Sequence, residues 1–160
     1  MEVRELASGV RPEGGGPSTV VELAIPARPA YLSLVRIIVD AAVIALSPGL
    51  AGARLDDLKV AVTEACSNAI DAHRAAWAEG PVFVRCDLSQ SAVSVEIVDR
   101  GAGFDPDRVE TLPAATDPRR LRHERGLGIP LMRTLADEVT FSPTDDGTRV
   151  RLTVRRPDPD

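Results

Sequence analysis

The stretch Leu55–Ala78, LDDLKVAVTEACSNAIDAHRAAWA, decides how the rest of this chain is read. Leu55, Leu58, Val62, Ala65, Ala69, Ala72 and Ala76 recur at steps of three and four, the mark of one apolar helix face. A second stripe carries Asp57, Glu64, Asn68 and Asp71. Glu64 and Asn68, four residues apart, stand about 6 Å apart along one side of the helix. A carboxylate and an amide so placed suit a hydrated cation, and a solvated polar face suits them equally. The helix by itself leaves both open.

On the N-terminal side, residues 1–17 are rich in Gly, Pro and charge without periodicity, so a mobile tail is expected there. Val20–Ile25 reads as a short strand ended by Pro26 and Pro29. Tyr31–Leu46 is an almost wholly apolar helix stopped by Ser47, Pro48 and Gly49. Apolar over most of its circumference, it is expected to be buried on more than one side, with Ile37, Ile38, Val43 and Ile44 in the core rather than on a partner or dimer surface.

On the C-terminal side, Glu79, Gly80 and Pro81 form a turn. Val82–Leu88 and Val93–Ile97 then alternate as a hairpin joined at Ser89–Ser91. The second of these strands ends in a charged corner, Asp99-Arg100-Gly101-Ala102-Gly103. Asp105–Arg125 has three prolines and little periodicity, which predicts a long functional or mobile loop. Ile129–Glu138 reads as a helix that tolerates Pro130 in its first turn. Val139–Ser142 and Thr148–Arg155 close the fold as a pair of strands, with a frayed end at residues 156–160.

At 160 residues and 44% hydrophobic, the chain has the apolar content for one domain core, here residues 18–155. No run of eighteen uncharged apolar residues occurs; Ile37–Leu46 comes nearest and Asp40 interrupts it, so no membrane span is expected. The opening residues lack a basic-then-apolar signal. Cys66 and Cys86 form no CxxC motif and, with only two histidines, suggest neither zinc nor a disulfide framework. A cytoplasmic location is expected. The formal charge of -5 argues against general nucleic-acid binding, despite Arg119, Arg120, Arg122 and Arg125.

Three short patterns carry chemistry. Glu64-x-x-x-Asn68 offers a general base and an oxygen ligand for magnesium. Asp99-x-Gly101-x-Gly103 follows a strand; its Asp can accept hydrogen bonds from an amino group such as that of adenine, and its glycines let backbone approach a ligand, although an ordinary turn has the same composition. Gly126-x-Gly128 opens a helix whose free amides can bind phosphate, with Arg122 and Arg125 supplying charge, and loop punctuation is the alternative. Other nucleotide sites are excluded. GxxxxGK[ST] is absent and Lys59 is the only lysine, which removes a P-loop. HRD and DFG are absent, and no GxGxxG follows the first strand.

Taken in order, Glu64 and Asn68, the Asp99–Gly103 corner, Gly126-Leu127-Gly128 and Gly147-Thr148 resemble the GHKL (Bergerat-fold) ATPase superfamily. VTEACSNAIDAH and RGLGIPLMRTLADEV look like its anti-sigma-factor serine/threonine kinases. The resemblance implies a two-layer α/β sandwich with a mixed, mostly antiparallel sheet and helices on one face. It also implies ATP and Mg2+ as cofactors. Asn68 would ligate magnesium and Glu64 would act as base. Asp99 would take the adenine amino group beside Gly101 and Gly103. Arg125, Gly126, Leu127 and Gly128 would border the phosphates under a lid of about residues 105–125, and Thr148 would support the adenine end. Such proteins phosphorylate a small anti-anti-sigma (STAS-type) partner, hold a sigma factor and commonly form homodimers. The chain departs from the family after Asn68, where it reads Ala69-Ile70-Asp71-Ala72-His73-Arg74 in place of a common Ala-Tyr ending, and at Glu124, where a glycine is frequent. Two other classes share the motifs: a nucleotide-gated binding module that transfers no phosphate, and a histidine-kinase ATP domain without its dimerisation helices.

Overall fold

Alternating hydrophobicity in the strands and three-to-four spacing in the helices resolve, in the computed structural model, into two layers. Residues 2–8, 18–50, 52–103 and 128–156 are described. The elements are β1 (Glu2–Ser8), β2 (Ser18–Pro26), a 3-10 turn (Pro29–Tyr31), α1 (Leu32–Leu46), α2 (Ala53–Ala75), β3 (Pro81–Leu88), β4 (Ala92–Val98), α3 (Gly128–Leu135), β5 (Glu138–Pro143) and β6 (Thr148–Arg155). The strands form one six-stranded sheet in the order β1-β2-β3-β4-β6-β5.

Every pairing among these strands is antiparallel, where a mixed, mostly antiparallel sheet was expected. The connections explain it. A single crossover helix returns the chain parallel, whereas β2 and β3 are joined by two helices, which reverse the chain once more. β4 and β5 do run in the same direction, but β6 lies between them and takes both ladders. The predicted two-layer sandwich otherwise stands.

One face of the sheet supplies Leu23, Ile25, Val84, Cys86, Val95, Ile97, Val150 and Leu152 to the core, all buried. The opposite face carries a charged row in register, Glu22, Arg85, Glu96 and Arg151. Arg85 bonds Glu22 at 2.7 Å, and Arg149 lies 3.3 Å from Glu96. Period-two alternation therefore assigns most strand residues to core or solvent, with Val20 buried on the outer face as an exception.

Three expectations are corrected. Glu2–Ser8, assigned above to a mobile tail, pairs along its length with β2, running from Glu2 opposite Ala24 to Ser8 opposite Ser18. Strand pairing satisfies backbone donors and acceptors whatever the side-chain composition, and composition was the only signal available there. Arg156, assigned to the frayed end, is also held. Its amide donates to Ser91 O at 2.9 Å and its guanidinium to Ser47 Oγ at 3.2 Å, just past the C-terminus of α1, where a cation is favoured.

The third correction concerns α1. Val35, Val39, Ala42 and Val43 are buried and Ile38 packs against the core, but Ile37 and Ile44 are 64% and 59% exposed. A helix in a two-layer fold has one covered face, so uniform apolarity cannot produce burial all round. With its preceding turn, Pro29–Leu46 is long and apolar enough by composition to cross a membrane. In this fold its inner face joins the core, and Asp40 accepts from Lys59 of α2 at 2.9 Å.

Leu58 is wholly buried on α2 within this core. Leu58→Ala should lower unfolding stability by about 2–5 kcal/mol through lost transfer energy and a residual cavity, measured as a shift in the denaturant midpoint at constant m-value.

Candidate functional site

The polar stripe of α2 survives folding as the edge of a cleft. Leu58, Ala61, Val62, Ala65, Cys66, Ala69 and Ile70 are buried, while Glu64, Ser67 and Asn68 are half-buried. They line a cleft of ≈ 340 Å³ together with Asp71, Ala72, Asp99, Gly128, Ile129, Phe141, Thr148 and Val150. The three patterns recognised in the sequence thus meet around one space.

Glu64 and Asn68 face the start of α3. A methyl group on Gly128 would lie 3.1 Å from Glu64 Oε2 and 3.2 Å from Asn68 Nδ2, so the first turn of α3 seats directly against both side chains. Free amides of a helix start are anion-binding groups. Arg125, Gly126 and Leu127, together with the expected lid at residues 105–125, lie outside the described residues.

The opposite end of the cleft is the corner after β4. Asp99 is only 4% exposed. The Gly101 amide donates to Asp99 Oδ1 at 2.7 Å, and the Asp99 amide donates to Thr148 O at 3.0 Å. Burial pushes the Asp99 carboxyl above its ordinary range, and backbone amides of Gly101 and Thr148 oppose that shift. Gly101 lies so close to α2 that a Cβ there would sit 2.8 Å from the Ala72 methyl. Gly147 is required for the same reason, because a Cβ would run into the Asp99 carbonyl and the Arg100 Cα. Gly103 takes a φ of 83°, as its glycine identity allows. The Thr148 hydroxyl lines the cleft, buried and without a hydrogen-bond partner among the described residues.

Of the predicted site residues, Glu64, Asn68, Asp99, Gly128 and Thr148 line the cleft, and Gly101 holds one of its corners. Asp71, read as ordinary surface, stands exposed at the rim. Asp57 remains on the surface beside Arg54, at 3.7 Å. Sequence reasoning missed the apolar walls, Ile129, Phe141 and Val150. Their alternation or helical phase marks them as inward-facing without showing that they border a ligand space. It also missed His73, a buried histidine between α2 and the Asp99 corner.

A buried carboxylate at one end of a cleft, with a carboxylate–amide pair seated against a helix start at the other, is the arrangement expected of a nucleotide-binding α/β domain. The chain belongs to the family described as histidine kinase-like ATPase domain, whose model matches residues 25–154. Its relatives include proteins named Serine-protein kinase RsbW. The one from Bacillus licheniformis is 34% identical over 137 residues, 83% of each chain. Those from Bacillus pumilus and Bacillus subtilis are 33% and 32% identical, over 84% and 83% of each chain respectively. The expected resemblance to anti-sigma-factor kinases, and ATP as the nucleotide that an ATPase domain takes, are borne out.

The raised Asp99 carboxyl has a consequence for stability. A carboxyl whose folded pKa lies above its unfolded value disfavours the folded state once ionised, at pH above both values, and that cost is relieved as pH falls through the folded pKa. Asp99→Asn keeps an acceptor oxygen for Gly101 and removes the buried charge. Its thermal midpoint at pH 7 should exceed that of the parent, and the gain should vanish in acid; scanning calorimetry at several pH values checks both.

Proposed function

We propose that this chain is an ATP-dependent protein serine/threonine kinase that also acts as an anti-sigma factor, phosphorylating a small anti-anti-sigma protein of STAS type and sequestering a sigma factor. The observation that carries the proposal is the juxtaposition of Glu64, Asn68 and Gly128 at one end of a cleft with a buried carboxylate at the other. Relatives that share 83% of their length with this chain bear the name serine-protein kinase.

The residues fit the nucleotide. A carboxylate offers about four acceptor sites, and the Gly101 amide takes one at Asp99 Oδ1, which leaves capacity for the adenine amino group. The unpartnered Thr148 hydroxyl supplies a further polar group at that end, directly or through water. Gly101 and Gly103 shape this wall, and Ile129, Phe141 and Val150 supply apolar surface. Arg125, Gly126, Leu127 and Gly128 would border the phosphates.

Among the described residues no cluster of three or more His, Cys, Asp or Glu forms a metal cage. Asn68 would hold Mg2+ through its amide oxygen, with phosphate and water as the other ligands, an arrangement suited to this cation. When bound, the ion neutralises charge on the phosphates. Glu64 takes the proton from the attacking serine or threonine hydroxyl, and the α3 amides orient the phosphate end. The chain would act in the cytoplasm as a homodimer, without direct contact to nucleic acid or membrane.

Glu64→Ala should lower phosphate transfer from labelled ATP to a cognate STAS-type partner by about 10²–10⁴-fold while ATP affinity stays close to that of the parent. Transfer at the parental rate would remove the base assignment. A parent that binds ATP and the partner but labels nothing would indicate a nucleotide-gated binding module instead. Asn68→Ala should abolish the Mg2+-dependent part of ATP affinity, measured by titration calorimetry with and without the ion.

A further inference from the structure

His73 is 2% exposed and occupies the last turn of α2. Its Nε2 lies 3.1 Å from the Gly80 carbonyl oxygen, and its Nδ1 accepts the Arg100 amide at 3.3 Å. A carbonyl only accepts and a backbone amide only donates. Both bonds are therefore made together by one form of the ring, neutral with the proton on Nε2.

Three consecutive amides leave the end of β4, and each has a different partner. Asp99 N–H donates to Thr148 O of β6, Gly101 N–H to the Asp99 side chain, and Arg100 N–H to His73. Only the middle bond ties the corner to α2 through a side chain. On the other side, Gly147 abuts the Asp99 carbonyl and the Arg100 Cα. The Asp99–Arg100 peptide is thus held between the β5–β6 turn and the imidazole. His73 also lies five residues beyond Asn68, roughly 7.5 Å further along the same rigid helix.

We propose that His73 is the positioning residue for base recognition: by accepting the Arg100 amide, it fixes the Asp99 carboxylate at a set distance from Glu64 and Asn68 on the same helix. The proposal rests on the ATP reading above and adds a residue that touches neither base nor phosphate. Sensitivity to the six-position of the purine is built by α2 as well as by the strand end that carries Asp99.

Two substitutions separate the two ring nitrogens. In the same side-chain direction, Asn places an acceptor near the Nδ1 position and Gln places a donor near the Nε2 position. His73→Asn keeps the bond to Arg100, and His73→Gln keeps the bond to Gly80. Each loses one hydrogen bond, so a purely structural histidine predicts similar losses of thermal stability and similar effects on binding.

Positioning predicts a split. His73→Gln should weaken ATP binding by about tenfold, the scale of one buried amide left without a partner. It should also lower the preference for ATP over inosine triphosphate, which carries a carbonyl in place of the adenine amino group. His73→Asn should bind ATP within about threefold of the parent and keep that preference. Equal losses in the two variants, or an unchanged preference in His73→Gln, would overturn the proposal. A parent that does not distinguish ATP from inosine triphosphate would instead overturn the adenine reading itself. Should His73→Gln fail to fold, nitrogen NMR of the parent with ATP decides: Nε2 protonated and Nδ1 accepting supports the proposal, and any other ring state refutes it.

Discussion

The close seating of α2 on the sheet is the contact on which the rest of the structure depends. Ala61, Ala65, Cys66 and Ala69 are small and fully or nearly fully buried, and larger apolar side chains from β3, β4 and β6 share the core with them. Short side chains on the helix let its axis approach the sheet, and the dispersion and area terms grow with that approach. Once the face is seated, helical phase leaves Glu64, Ser67 and Asn68 along the edge of the contact. There they are neither buried in the core nor fully hydrated. The site is the boundary of the packing interface.

That boundary explains why the polar groups are grouped as they are. At one end, the first turn of α3 comes against Glu64 and Asn68. At the other, Asp99 is nearly excluded from solvent and backbone amides partly offset the cost of its charge. A buried carboxylate with a raised pKa stabilises nothing by itself. It is the kind of local conflict with stability that accompanies function. The Thr148 hydroxyl, buried without a partner among the described residues, is a second such conflict in the same cleft.

The two cysteines have no comparable place. Burial pushes both the Cys66 and Cys86 thiols up to about 12, which keeps them protonated and unreactive. They behave as small core residues. The exposed apolar stripe of α1 differs again: Ile37 and Ile44 lie on the outer side of a helix whose inner side is well packed. The two-layer arrangement accounts for that exposure without further assumption.

Most of the architecture was legible in the sequence, because periodicity reports directly which residues a helix or strand can bury. The α2 stripe, the β3–β4 hairpin, the closing strand pair and the identities of Glu64, Asn68, Asp99 and Gly101 could be named from spacing and motif, and Thr148 from the family resemblance those motifs carry. What spacing cannot report is which elements meet. The purely antiparallel sheet followed from α1 and α2 reversing the chain twice, β1 from pairing that ignores side-chain composition, and the exposure of Ile37 from α1 having one face covered by the core. His73 was the least legible residue. Its role depends on Gly80 and Arg100, which reach it only after β3 and β4 have folded back beside α2. Sequence by itself determined the chemistry available along each element; tertiary structure alone decided which groups share a cleft, because hydrogen bonds and burial act through space and not along the chain.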